Sequence, residues 1–156
     1  MRKDKFTIRA KRERLRARSA YKLLEINKKF RIIKKNDSVL DLGCWPGGWM
    51  MVTKKIAGIG HVLGIDKKKI EPIDDCDFIL GDVMGDDILE KIKAKINKVD
   101  VVISDMAPNT TGIRELDHGI SADFCLRTFF ISRLILWNSG NFLCNLIQGE
   151  DEGAVI

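Results

Sequence analysis

The spacing of apolar positions changes once along the chain, dividing a helical start from a series of short strands. From Phe6 to Ile33, Leu15, Tyr21, Leu23, Leu24, Ile26 and Phe30 recur intermittently and no proline or glycine interrupts, which predicts a long helix. Beyond it, short apolar runs alternate with amphipathic stretches. Strands are predicted over 38–42, 61–65, 77–80 and 99–104, with a fifth over 141–147 (NFLCNLI). Helices are predicted over 50–56, 88–96 and 121–137, the first closed by Gly58 and Gly60. Strands alternating with helices specify parallel βαβ units, and near-continuous apolar strands are those covered on both faces. The expected class is α/β, a doubly wound parallel sheet flanked by helices and preceded by a basic helix.

The 156 residues suffice for one domain with a sizeable core. No apolar run reaches the ~20 residues that span a bilayer, so no membrane association is expected. Cys44, Cys76, Cys125 and Cys144 form no C-x-x-C pair, and with only two histidines no metal site is expected. The cysteines are read as thiols packed in the core. That points to a reducing compartment, the cytoplasm or an organellar matrix. Charge changes the picture more. Residues 1–35 hold 15 of the 27 Lys and Arg against three acids, a local +12, whereas the remainder carries −7. On charge, residues 1–36 read as a basic, helical segment ahead of a core over 37–156, either meeting a phosphate-backbone partner or simply solvated. In the first case Arg12, Arg14, Arg16 and Arg18 are expected to meet its phosphates.

Ligands of open parallel sheets sit beyond the carboxyl ends of the strands. Four successive strands here end on Asp41-Leu42-Gly43, Asp66, Asp82 and Asp105. The loop Gly43-Cys44-Trp45-Pro46-Gly47-Gly48-Trp49 reads either as a tight strand-to-helix turn or as backbone held close to a ligand. Trp45 stands where a G-x-G-x-x-G fingerprint needs glycine, which disfavours a pyrophosphate cofactor and a nicotinamide oxidoreductase. Asp66, 25 residues after Asp41, suits the two ribose hydroxyls of a nucleoside, and Asp82 an adenine amino group. A nucleoside without phosphates, S-adenosylmethionine, fits this pattern.

Seven segments then carry a resemblance. They are Arg16-Ala17-Arg18-Ser19-Ala20-Tyr21-Lys22-Leu23, Asp41 to Trp49, Gly64-Ile65-Asp66, Gly81-Asp82-Val83, Ser104-Asp105-Met106-Ala107-Pro108-Asn109, Phe142 to Ile147 and Gln148-Gly149-Glu150. In order and spacing the chain resembles the FtsJ family of large-subunit ribosomal RNA 2′-O-methyltransferases, the RrmJ or RlmE type, over residues of roughly 10–152. The resemblance implies a Rossmann-like methyltransferase fold. It also implies S-adenosylmethionine-dependent methylation of a uridine ribose in large-subunit ribosomal RNA, by a protein expected to act as a monomer on the large ribosomal subunit. Gly43, Gly47, Trp49, Asp66, Asp82 and Asp105 would hold the cofactor. Of the family's Lys-Asp-Lys-Glu tetrad, Lys22 matches the first lysine and Asp105 the aspartate. Lys22 reads equally, without the resemblance, as one more phosphate-binding lysine.

Two departures follow. The second tetrad lysine is replaced by Asn145, which forms hydrogen bonds but cannot act as a base at neutral pH. The family's last helix and two strands, with the tetrad glutamate, have no match in this sequence, which leaves the fifth strand with an unpaired edge. The expected function is ribose methylation. The alternative is a catalytically impaired relative that binds cofactor and RNA in ribosome assembly.

Overall fold

The structure, a computed structural model, describes residues 2–107 and 111–146; the side chains of 2–4, 6 and 10 fall outside that description. Pro108 and Asn109 of the Ser104–Asn109 segment and the 147–150 segment therefore lie outside the described residues, as does the end of the expected fifth strand. In chain order the elements are α1 (Arg2–Phe30), β1 (Val39–Leu42), α2 (Gly48–Ala57), β2 (Val62–Asp66), β3 (Cys76–Leu80), α3 (Ile88–Lys95), β4 (Val99–Ser104), α4 (Arg114–Ile135) and β5 (Leu136–Cys144). All strands pair in parallel in the order β3-β2-β1-β4-β5.

Alternation along the strands sends side chains to two layers. Leu40, Leu42, Leu63, Ile65 and Val102 face α3 and α4, joining Ile88, Ile92, Ile131 and Ile135. Val39, Val101 and Ile103 face the other way and pack on Leu23 of α1 and Trp49, Val52 and Ala57 of α2. The basic helix is thus fastened to the sheet through its C-terminal half, where Leu23 is fully buried. Asn27 secures its end: its side-chain amide accepts from the Ile33 N–H at 2.7 Å and donates to the Ile33 carbonyl at 3.1 Å. Because the chain leaves β1 for β2 and β3 on one side and returns to β4 and β5 on the other, the strand order reverses between β1 and β4, where such sheets bind ligands.

Three expectations are corrected. α4 begins at Arg114 rather than Ser121, because Gly119 sits inside the helix and Glu115 and Asp117 favour its positive N-terminal end. β5 begins at Leu136 rather than Asn141: α4 runs straight into it, and Trp137 to Gly140 form an irregular insertion between the Val99–Leu136 and Val101–Asn141 pairs. Cys125 and Cys144 form a disulfide between α4 and β5 with Cα atoms 6.0 Å apart, whereas Cys44 and Cys76 are free. Packing α4 against the strand that follows it brings these two together, a contact their separation of 19 residues did not signal. Among the described residues, no helix is long and apolar enough to cross a membrane.

Candidate active site and nucleic-acid face

The loop after β1 is shaped from below by backbone hydrogen bonds. Gly43 and Cys44 both donate to the Ile65 carbonyl, at 2.8 and 2.9 Å, and the Gly47 N–H closes onto Cys44 O at 2.7 Å. Gly43 (φ +75°) and Gly47 (φ +106°) take the left-handed backbone that favours glycine. At Gly48 the requirement is different: a Cβ there would run into Ser19 Oγ and the Arg16 carbonyl, because α1 crosses over the start of α2 at this point. Part of the glycine run therefore serves helix packing rather than ligand approach.

The strand-end acids fall into two kinds. Asp66 accepts the Trp45 N–H on Oδ2 and the Lys68 N–H on Oδ1, both at 2.8 Å, so it anchors the loop while each oxygen keeps a lone pair. Lys68 Nζ lies 4.7 Å from the Trp45 ring centre and holds the indole from outside. Among the described residues, the Asp82 carboxylate accepts only the Met84 N–H, on Oδ1 at 2.9 Å. Asp41, in contrast, is 1% exposed, and neither carboxylate oxygen has a hydrogen-bond partner among the described residues. Burial, reinforced by the nearby Asp105 and Asp66 carboxylates, raises its pKa well above the ordinary carboxylate range. Burial likewise pushes the Cys44 thiol up.

A narrow cavity lies at the β1–β4 switch point, lined by Ser19, Asp41, Gly43, Cys44, Trp45, Trp49 and Asp105. Trp49 is buried and its indole N–H likewise has no partner among the described residues. A buried carboxyl group and a buried donor, both without partners among the described residues, are costly in one cleft unless a ligand meets them. An amino-acid group, with its ammonium donor and its carboxylate acceptor, complements that pair. At the mouth, Asp105 Oδ1 takes the Asn145 side-chain amide at 2.8 Å and lies 3.5 Å from Lys22 Nζ. Asn145 is itself set by its N–H on the Ser104 carbonyl at 2.9 Å. Lys22 from α1, Asp105 from β4 and Asn145 from the end of β5 thus meet on a single oxygen atom.

The four arginines divide. Arg14 and Arg18 are exposed. Arg12 is engaged by Glu71 at 2.8 Å, and Arg16 lies half-buried over Gly47 with its Nε enclosed and without a hydrogen-bond partner among the described residues. The even spacing of these arginines did not distinguish the two sets, because helical phase decides which of them α2 and the following loops cover. Asp41 as an unpaired carboxylate, and Ser19 as a wall of the cavity, were also missed. Both lay inside recognised segments, and only burial separates them from their neighbours. A more open depression lined by Lys98, Leu136, Trp137, Asn138 and Ser139 sits where β4 begins, at the opposite end of the sheet from these groups. Among the described residues, no cluster of three or more His, Cys, Asp or Glu is arranged to hold a metal ion.

The FtsJ-like methyltransferase family model matches residues 15–156. The protein named ribosomal RNA large subunit methyltransferase E in Methanothrix thermoacetophila is 44% identical over 149 residues, covering 95% of this chain and 58% of the relative. The protein of the same name in Methanococcoides burtonii is 40% identical over 151 residues, covering 96% and 56%. The chain therefore spans little more than half the length of these relatives. A crystal structure described as a ribosomal RNA methyltransferase, from Plasmodium falciparum, superimposes with a TM-score of 0.69 at 34% identity, over 77% of this chain and 72% of that one.

Proposed function

Because this chain belongs to the FtsJ-like methyltransferase family, we propose that it carries out S-adenosylmethionine-dependent methylation of a uridine ribose 2′-hydroxyl in large-subunit ribosomal RNA. The observation that carries this reading is the meeting of Lys22 and Asn145 on Asp105 Oδ1, beside a cleft whose Asp41 carboxylate and Trp49 indole N–H are both unsatisfied. The names of the relatives, as ribosomal RNA methyltransferases, support the substrate class.

S-adenosylmethionine, when bound, supplies a methyl group on a positively charged sulfur. The residues fit such a molecule. Asp41 takes the ammonium, the Trp49 N–H the carboxylate, Asp66 the ribose hydroxyls through its remaining lone pairs, and Asp82 the adenine amino group through Oδ2. Gly43 and Gly47 supply the backbone bend beside it. In-line attack by a ribose hydroxyl demands alignment and removal of its proton. Lys22 Nζ, once it has released its own proton to solvent, is the amine proposed to receive that proton, and Asp105 orients Lys22. Asn145 fixes Asp105 and offers its amide to the ribose. Exposed Arg14 and Arg18 bind backbone phosphates, so residues 1–36 act as the RNA-binding segment of a monomer working on the large subunit.

The second reading, a relative that binds cofactor and RNA without turnover, draws on one contact. Asn145 occupies Asp105 Oδ1 at 2.8 Å, closer than Lys22 does. Single-turnover transfer of labelled methyl from S-adenosylmethionine to large-subunit ribosomal RNA separates the two. Label incorporated above a Lys22→Ala control supports catalysis; tight cofactor binding with no incorporation leaves the binding role.

A further inference from the structure

We infer that Tyr21 is a stacking platform for an unpaired RNA base at the rim of the active site, an inference that rests on the RNA reading above. Tyr21 is 70% exposed, although the residue two places on, Leu23, is fully buried on the same helix. Its ring makes no aromatic or cation contact among the described residues. The next residue, Lys22, reaches Asp105. One residue along a helix is a rotation of about 100°, so Tyr21 stands roughly a quarter-turn around α1 from the Asp105-facing side, at the edge of the cleft.

The surroundings select the occupant. Positions 14, 18, 21, 25 and 28 share one face at helical spacing. Arg14, Arg18 and Lys28 on that face are all exposed, with Glu25 the one acid among them, and Leu24 beside Tyr21 is 46% exposed. Isolated apolar groups on a surface need no explanation, but an aromatic ring set between cations and one residue from the proposed base is different. Guanidinium and ammonium groups hold a phosphate backbone, and a planar ring between them stacks on a base of any identity. That combination serves single-stranded nucleic acid. The nucleotide next to the target ribose, splayed out of its helix, is the base that would reach Tyr21.

Fluorescence anisotropy with a short labelled oligouridylate, read over a series of salt concentrations, tests this. Tyr21→Ala should weaken binding roughly 5- to 150-fold with an unchanged salt slope, since stacking releases no counterion. Arg18→Ala should instead lower the slope by about 0.7. Tyr21→Phe should bind like wild type, and Tyr21→Leu, apolar without a ring, like Tyr21→Ala. Thermal midpoints should be unchanged throughout, because the side chain is exposed. Wild-type affinity in Tyr21→Ala overturns the stack and leaves the RNA reading standing, and so does a loss in Tyr21→Phe, which would assign the contact to the hydroxyl. Self-association in the absence of RNA that Tyr21→Ala abolishes would make this face a contact between copies and overturn it as well. Failure of the wild type to bind even at low salt overturns the RNA reading and the stack with it.

Discussion

Asp66 and Asp82 invite the same mutation but should answer it differently, and the difference is calculable from their contacts. Both carboxylate oxygens of Asp66 accept backbone N–H groups, from Trp45 in the loop after β1 and from Lys68 just after β2. An asparagine has one acceptor, so Asp66→Asn must turn its amide toward one of those donors. Charge-assisted hydrogen bonds are worth about 1.5–3 kcal/mol each in buried settings. These are partly solvated, so the combined loss is roughly 2–4 kcal/mol, or a fall in Tm of about 5–15 °C for a domain of this size. Reduced cofactor affinity in Asp66→Asn would then mix loop displacement with a lost ligand contact. Asp82 spends only Oδ1, on Met84. In Asp82→Asn the amide oxygen can keep that bond, while the amide nitrogen replaces Oδ2 and presents a donor where the adenine amino group needs an acceptor. The expected result is an unchanged Tm with S-adenosylmethionine affinity lowered by about 1.5–3 kcal/mol, roughly 10- to 150-fold. Differential scanning calorimetry and isothermal titration on the same samples give both quantities. Wild-type affinity in Asp82→Asn would refute the placement of adenine at this residue.

The remaining predictions concern the cleft and its supports. The Asp41 pKa is raised in the folded chain, so above the ordinary carboxylate pKa the native state holds a proton that the unfolded state has lost. Stability should therefore fall as pH rises from about 4 through the native pKa, and Asp41→Asn should lose that slope in a pH series of thermal midpoints. If the cofactor's ammonium meets Asp41, binding should expel this proton, so that the titration heat depends on the buffer's ionisation enthalpy in wild type and not in Asp41→Asn. Gly48→Ala drives a methyl group into the Arg16 backbone, which cannot rotate away as Ser19 can. A cost of about 1–3 kcal/mol is expected, measurable by denaturant unfolding. Asn145→Lys should raise single-turnover methyl transfer by about 10²–10⁴ if this chain lacks only a base at that position. A rate equal to wild type would show that Lys22 and Asp105 already suffice or that the chain does not catalyse at all, and the Lys22→Ala control decides between these.

The sheet and its strand-end acids were legible because each rests on a local rule. A buried parallel strand must be a short apolar run, and Asp41, Asp66, Asp82 and Asp105 fall at the ends of such runs in the sequence. Even the failures at α4 and β5 are local in origin. Gly119 and the Asn138-Ser139-Gly140 triplet carry the usual signals of a break, but one is held inside a helix and the other is extruded from a strand. Tertiary facts were not legible. Whether an arginine of α1 faces solvent, like Arg14 and Arg18, or is covered, like Arg12 and Arg16, depends on how the helix is rotated about its axis over α2. That rotation is set by Leu23 in the core and by the close approach at Gly48. The Cys125–Cys144 bond has the same character, since only the packing of α4 against β5 brings the two sulfurs together.

The same distinction governs what Asn145 means. From the sequence it is a missing lysine, replaced by a polar amide able to orient the ribose but not to act as a base. In the fold it is the closest partner of Asp105, at 2.8 Å against 3.5 Å for Lys22, and its own N–H is fixed on Ser104. A neutral amide there satisfies Asp105 without adding a charge, so the Asp105 carboxylate remains available to Lys22 instead of being shared between two ammonium groups. Lysine at 145 would restore a base and at the same time create a rival for Asp105, and the two ammonium groups, a few ångströms apart, would repel each other by some kcal/mol at an intermediate dielectric. The effect of Asn145→Lys on rate is therefore a difference between a gain in proton transfer and a loss in the positioning of Lys22. Its pH dependence should expose both, because repulsion between neighbouring ammonium groups favours deprotonation of one of them. A variant whose rate rises and levels off at lower pH than wild type would carry the signature of a lysine pair. A variant that is uniformly slower would mean that the amide's hold on Asp105 is itself part of the working site.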